Sequence, residues 1–255
     1  AQRATCAATS LAGAASFTTL VTTIGDAVSS SGFQTRSNGA VVLGDAGTLW
    51  TTDKLTVGHQ GDGSFAAASG SRLAARTATL GLAANGQGLL AASGAGTRID
   101  IAQDLSVGVA GAGTVTVGSG AVLSVGAARL GELGSGSGTV RIEGAGALWT
   151  SLQTMVVGRY GSGSFAVLAG ATATLPSLQL GQLSNGVGGS GSVVADGAGS
   201  GLSVAGDIVI GDGGFGKMTA RDSGLVASGG MTRANAGGSV VLDGGTSLDV
   251  PSFEL

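Results

Sequence analysis

Two pairs of closely spaced aspartates are the residues of this sequence best suited by type to acid–base chemistry. Asp100 with Asp104, and Asp207 with Asp212, place carboxylates a few residues apart. Glycoside hydrolysis needs two carboxylates roughly 5–9.5 Å apart, which neighbouring strands can supply. Aspartate in a loop, however, most often accepts hydrogen bonds from nearby backbone N–H groups. Because no acidic position recurs together with Arg, Lys or His, we expect these aspartates to cap turns and the chain to have no catalytic residues.

Histidine and cysteine, the usual metal ligands and nucleophiles, each occur once. His59 follows Val57 and Gly58, at a place that Val109 and Arg159 occupy in later repeats. This position predicts an exposed turn residue. Cys6 is alone, so it predicts neither a disulfide nor a cysteine-based metal site. The Gly-Asp-Gly turns lack the nonapeptide period of calcium-binding β-rolls. We therefore expect no metal site and no cofactor.

The few large aromatic residues are the remaining candidates for recognition. Trp149 lies where Ile99 lies one repeat earlier, and Trp50 falls at a similar place. Two interpretations stay open: packing at a corner of the fold, or an exposed platform that contacts a carbohydrate or a protein. The candidate binding residues are Trp50, Trp149, Tyr160 and its neighbour Arg159.

The composition points to a folded, weakly charged chain. Glycine contributes 51 of 255 residues, hydrophobic residues 43% and charged residues only 11%. Disordered chains are instead rich in charge and poor in aliphatic residues. The net charge is −3, and no run of Lys or Arg is present to neutralise phosphates, so nucleic-acid binding is not expected. No apolar stretch approaches the ~20 residues of a membrane-spanning helix.

A repeat of about 50 residues must position all of these side chains. Leu55-Thr-Val-Gly58 recurs as Leu105-Ser-Val-Gly108, Met155-Val-Val-Gly158 and Ile208-Val-Ile-Gly211, at spacings of 50, 50 and 53. Each repeat is itself double, with short apolar runs separated by glycine turns in both halves. Runs this short, with apolar residues two apart, predict strands rather than helices.

Three short strands in each half-repeat describe one turn of an all-β, right-handed parallel β-helix. A single turn cannot bury its inward side chains, but turns stacked ~4.8 Å apart align them in ladders. The predicted ladders are Val57, Val107, Val157 and Ile210; Phe65, Val115, Phe165 and Met218; and Leu90, Val140, Val193 and Val240.

The repeats predict one β-helix of about nine turns with a cap at its start. Residues 1–32 are off the period, and their apolar spacing fits either an amphipathic helix or irregular strands. We assign them to an N-terminal cap because the first turn needs its open edge covered. The β-helix then spans 33–255, in units 33–54, 55–104, 105–154, 155–207 and 208–255.

The string from Leu105-Ser-Val-Gly108 through Leu130-Gly131 to Gly146-Ala-Leu-Trp149 resembles the autotransporter-associated repeat. That repeat occurs in passenger domains of type V secreted proteins of Gram-negative bacteria, and the resemblance covers 33–255. It implies a right-handed β-helix, secretion or display on the outer cell surface, and often adhesion, autoaggregation and virulence. The outer-membrane β-barrel that such proteins use for membrane attachment is expected to be absent from this chain.

These observations favour a non-catalytic adhesion or self-association module of the extracellular space or cell surface. Its expected partners are copies of itself, or a host surface, matrix or glycan ligand. Two alternatives stay open. One is a carbohydrate-active β-helix enzyme, either a polysaccharide lyase or a glycosidase. The other is a passive spacer that holds another domain away from the cell.

Overall fold

The computed structural model describes residues 3–5, 9–11, 13–30, 33–36, 38–184 and 186–255, so Cys6 lies outside the described residues. Within these ranges the chain is all-β, and the helical alternative for the segment before residue 33 is not found in its described part. No described helix could cross a membrane. The strands are β1 Arg3–Thr5, β2 Thr9–Leu11, β3 Ser16–Ile24, β4 Ala27–Ser30, β5 Phe33–Arg36, β6 Asn38–Leu43, β7 Leu49–Val57, β8 Asp62–Ala68, β9 Arg72–Leu80, β10 Gln87–Ser93, β11 Arg98–Val107, β12 Ala112–Val117, β13 Val122–Leu130, β14 Ser137–Glu143, β15 Leu148–Ser151, β16 Met155–Val157, β17 Ser162–Leu168, β18 Thr172–Leu175, β19 Leu178–Leu180, β20 Leu183–Ser184, β21 Val187–Gly188, β22 Ser190–Asp196, β23 Gly201–Val204, β24 Ile208–Ile210, β25 Phe215–Arg221, β26 Leu225–Ser228, β27 Met231–Ala234, β28 Gly238–Leu242, β29 Ser247–Asp249 and β30 Ser252–Glu254.

Two parallel sheets wind around one hydrophobic core. Sheet B has ten strands in the order β2-β6-β8-β10-β12-β14-β17-β22-β25-β28. Sheet A has 16 strands; it runs β1-β3-β7-β9-β11-β13-β15-β18-β23-β26-β29, and from β13 a second branch continues through β16, β19, β24, β27 and β30. The chain alternates between the two sheets and so forms a parallel β-helix of about nine turns, as predicted. Two antiparallel hairpins, β4–β5 and β20–β21, stand outside this stack.

The inward side chains form continuous ladders. Val57, Val107, Val157 and Ile210 are fully buried, and leucines of the intervening half-repeats alternate with them. The ladders predicted separately from Phe65 and from Leu90 are one ladder, because Leu90 pairs directly with Phe65 on one side and with Val115 on the other. The stacking unit is therefore the half-repeat.

The described part of residues 1–32 continues the same sheets. Ser16–Ile24 pairs in parallel with Leu49–Val57, and Ile24 is buried in the common core. The hairpin Ala27–Ser30 with Phe33–Arg36 crosses the boundary predicted at residue 33. The first described strands thus belong to the solenoid itself, while their role as a cap stays a prediction.

Successive turns differ in the length of their corners, which explains why the sequence repeats only every second turn. The corner over 92–99 has one residue more than the equivalent corner over 67–73. The opposite corner over 80–90 is likewise longer than that over 57–65. Strand β11 also carries an extra residue relative to β9, where the register shifts between Ile101 and Leu105. Long and short turns therefore alternate along the core.

Candidate functional site

Trp50 and Trp149 are core residues with 1% and 0% of their surface exposed. Each ring packs edge-on against a phenylalanine of sheet B. The centroids of Trp50 and Phe65 are 5.7 Å apart, and those of Trp149 and Phe165 are 5.6 Å apart. The interpretation of these tryptophans as a contact platform is wrong, because a buried ring offers no surface to a ligand. The alternative interpretation, packing in the fold, is correct for both.

Tyr160 and Arg159 lie together in the short corner that follows β16, and both are half-buried. The Arg159 Cζ atom lies 5.0 Å from the centre of the Tyr160 ring, which is a cation–π contact. The Arg159 guanidinium also donates to Glu132, in the preceding turn, at 3.0 Å. These contacts hold both side chains against the corner, and a binding role for them stays a prediction.

The aspartates considered for catalysis have different partners. Asp100 accepts from Arg98 Nε at 2.7 Å, and Asp104 accepts from Arg129 at 2.7 Å. The expectation that these two cap turns is wrong, because both lie on β11 with their carboxylates beside arginines. Asp207 does accept a backbone N–H, that of Met231, at 2.8 Å. Both carboxylates on β11, those of Asp100 and Asp104, therefore have a positively charged neighbour.

His59 occupies a corner, as predicted, but it is only half-exposed. Its Nδ1 atom lies 2.8 Å from a carboxylate oxygen of Asp26. This pair joins the corner after β7 to the corner after β3. In the described part of the chain, no three His, Cys, Asp or Glu side chains converge where they could hold a metal ion.

Every arginine whose side chain the structure describes forms an ion pair. Most partners lie on the adjacent turn, while Arg98 and Arg141 pair within their own strands. The hydrogen bond from Arg76 lowers the pKa of Asp53, and that from Arg141 lowers the pKa of Glu143. The pairs are Arg72–Asp100, Arg76–Asp53, Arg98–Asp100, Arg129–Asp104, Arg141–Glu143, Arg159–Glu132, Arg221–Asp196 and Arg233–Glu254.

The outer face of sheet B carries rows of short, mostly uncharged side chains. Neighbouring strands pair without a shift from β6 to β22, so equivalent residues lie side by side along the solenoid. The rows from β8 to β22 consist of Ser64, Leu89, Thr114, Thr139, Ser164 and Ser192, and of Ala66, Ala91, Thr116, Arg141, Ala166 and Val194. Sequence reasoning grouped such residues only by composition, because their alignment depends on the register between turns.

Comparisons with known proteins add no identification. No protein-family model, no curated protein and no solved structure matches this chain.

Proposed function

We propose that this chain is a non-catalytic adhesion or self-association module, secreted or displayed on a bacterial outer surface, that acts through contacts between copies. The observation that carries the proposal is the outer face of sheet B. Over β8, β10 and β12 its two central rows contain no charged residue. The same rows on β6 are Ala40 and Val42. A surface of this kind places no like charges between approaching copies.

The chemistry of these rows suits repeated, individually weak contacts. Ser, Thr, Ala and Val lose little side-chain entropy when they are covered. Sheets pack face to face at ~10 Å, and identical rods present the same ~4.8 Å spacing of rows to each other. Contacts then add along the rod and across many copies on one surface. The ion pairs elsewhere on the molecule reduce the number of free charges that would oppose this approach.

Charges placed on the outer face of sheet B test the proposal. Ala91→Lys combined with Thr116→Lys introduces two lysines on adjacent strands of this face. Because the same lysines then face each other across a contact between copies, we expect self-association to weaken by at least about tenfold. Sedimentation velocity over a range of concentrations and clumping of cells that display the chain measure the effect.

The matched control places the same two charges on sheet A. Thr174→Lys with Ser203→Lys also lies on adjacent strands with outward side chains, and it should leave clumping within about twofold of the unmodified chain. Equal loss in both variants would contradict a specific role for sheet B.

A wild-type chain that neither clumps cells nor binds host matrix would favour the passive spacer. Cleavage of a polysaccharide that is lost in Asp100→Asn or Asp104→Asn would favour the enzyme.

A further inference from the structure

Basic residues are concentrated on the N-terminal half of sheet A. Strands β7, β9, β11 and β13 carry five of the 12 Lys and Arg residues of the whole chain and three acids, although the net charge of the chain is −3. The later strands of sheet A carry Arg233 against Asp249 and Glu254. The excess of positive charge is therefore local to the N-terminal part of sheet A. The five basic residues are Lys54, Arg72, Arg76, Arg98 and Arg129, and the three acids are Asp53, Asp100 and Asp104.

Asp100 does not fully compensate the two arginines beside it. Arg98 Nε lies 2.7 Å from one of its carboxylate oxygens, and an Arg72 nitrogen lies 3.7 Å from that oxygen. One carboxylate shared by two guanidinium groups neutralises only one of their two positive charges. Each guanidinium has five N–H donors, and the single carboxylate can accept only some of them. The remaining donors of these two half-exposed side chains are available to an anionic ligand.

A shallow groove passes over part of this cluster: Arg76 and Arg98 line it with Asp53 and Asp100, while Lys54, Arg72 and Arg129 lie outside its lining. One depression of about 440 Å³ extends from Thr18 on β3 to Asp100 on β11, and a second of about 270 Å³ extends from Arg98 to Leu152. Both include Asp100 and Ala102, so they form one groove across six strands of sheet A. At ~4.8 Å a strand, the groove is about 24 Å long. Its length suits a linear chain rather than a small molecule.

Four of the six residues in the central row of the groove bear hydroxyl groups. Thr18 pairs with Thr51 across β3 and β7, and Ser124 pairs with Thr150 across β13 and β15. Ala74 and Asp100 occupy the two strands between them in the same row. Hydroxyl groups both donate and accept hydrogen bonds, as sugar hydroxyls do. Guanidinium groups bind carboxylate or sulfate groups through parallel N–H bonds.

We propose that this groove on sheet A binds a linear polyanionic glycan, a chain of sugars that bears carboxylate or sulfate groups. A peptide is a poorer fit, because an extended peptide gains its main-chain hydrogen bonds at a free sheet edge. The strands under the groove are paired on both sides and offer no such edge. This site is separate from the face of sheet B proposed for self-association, so each can fail without the other.

The test measures binding of the purified chain to polygalacturonate, dextran sulfate, neutral dextran and polyglutamate by isothermal titration calorimetry at low and high salt. The carboxylate and sulfate probes separate the two sources of anionic charge. We expect affinity for at least one anionic glycan, a steep loss of that affinity in high salt and weaker binding to dextran and polyglutamate. Equal affinity for polyglutamate would overturn the assignment of a glycan as the ligand and favour an acidic peptide. The absence of glycan binding would overturn the proposal that the groove is a binding site.

A pair of matched variants separates this groove from general electrostatic attraction. Lys54→Gln with Arg72→Gln removes two exposed charges beside the groove and should weaken binding roughly fivefold. Lys217→Gln with Arg221→Gln removes the same two residue types from β25 of sheet B and should change it less than about twofold. Conversely, Asp100→Asn should strengthen binding, whereas Asp196→Asn on sheet B should not. Equal effects at the two faces would overturn the proposal, and thermal melting checks that each variant is folded.

Discussion

At the scale of single residues, the corners that follow β7, β11 and β16 of sheet A each begin with a glycine that no larger residue could replace without a clash. Gly108 has φ of +69°, and a Cβ atom there would lie 2.0 Å from the Ser137 carbonyl oxygen. The same conflict with the backbone of the next turn recurs at Gly58 and Gly158. Two independent constraints, the left-handed backbone and the close approach of the adjacent turn, therefore fix this residue type.

Substitution at a corner glycine separates these two constraints. Gly108→Ala should destabilise the fold by about 3 kcal/mol or more, because the adjacent turn must move to admit the methyl group. Gly245 has a similar φ of +72° but no atom within 4 Å of the added Cβ. Gly245→Ala should consequently cost only about 1 kcal/mol. Urea denaturation measures both, and equal losses would contradict the steric explanation.

The opposite change should stabilise the short corner between β17 and β18. Ala169 adopts φ of +52°, a left-handed conformation that its methyl group disfavours. Ala169→Gly should therefore raise the free energy of unfolding by about 0.5 kcal/mol. Ala166→Gly, on the neighbouring strand β17, should lower it by a similar amount, because glycine weakens strands. A lower thermal midpoint for Ala169→Gly would contradict the prediction.

Sequence alone predicts the corner glycines but not the surroundings of the tryptophans. The glycines recur at one place in every repeat, and a turn with positive φ explains this regularity. Trp50 and Trp149 lie at a place that Ile99 also occupies, a pattern compatible with both burial and exposure. Only the register shows that each ring has a phenylalanine of the opposite sheet beside it.

At the scale of the strands, alternation decides which side chains lie inside. Val193 is fully buried, whereas the next residue, Val194, points outward and is half-exposed. Val193→Asp would place an unpaired charge in the core and should destabilise the fold by several kcal/mol. Val194→Asp makes the same chemical change on the surface and should cost less than about 1 kcal/mol. Chemical denaturation compares the two, and similar losses would contradict the inward assignment.

The strands and their ladders were the most predictable part of the fold. Apolar residues two apart in short runs specify which side chains face inward, and the 50-residue period aligns every second turn. The period could not show that Phe65 and Leu90 share one ladder, because that depends on how half-repeats stack. The β-strands before residue 33 were also ambiguous, since those residues are off the period.

The ion pairs were missed for a related reason. Arg76 and Asp53 are 23 residues apart, and Arg129 and Asp104 are 25 apart, so neither pair is a local motif. Each becomes visible once residues one turn apart are written side by side. Predicting the charged pairs of the candidate sites therefore requires the register between turns, whereas predicting the core residues requires only the sequence repeat.

At the scale of the whole molecule, the two buried tryptophans differ in their distance from the ends of the stack. Near Trp50 the core includes buried hydroxyl groups: Thr19 bonds to Thr22 at 2.7 Å, and Thr22 bonds to Thr52 at 3.2 Å. Trp149 instead lies on β15, in the middle of sheet A, with several turns stacked on either side. Ser151, on the same strand as Trp149, is a buried hydroxyl too, so the two tryptophans differ mainly in that Trp50 lies nearer one end of the stack.

This difference predicts that the solenoid unfolds from the Trp50 side. In Trp149→Phe the remaining fluorescence reports on Trp50, and in Trp50→Phe it reports on Trp149. In stacked repeats each turn is stabilised mainly by its neighbours, so turns near an end open more readily. We expect the fluorescence of Trp50 to change at a lower urea concentration than that of Trp149. Circular dichroism on both variants provides the control, and coincident fluorescence transitions would indicate all-or-none unfolding.

The alternation of long and short corners also restricts how such a rod can change in length. Removing one turn would bring two corners of the same length into contact, which breaks the alternation of long and short corners along the core. Removing two turns leaves every remaining corner beside a neighbour of the other length. Growth or shortening by duplication and deletion should therefore proceed in steps of two turns, about 10 Å each. The length of a rod of this kind should therefore change only by whole pairs of turns, one with long corners and one with short corners.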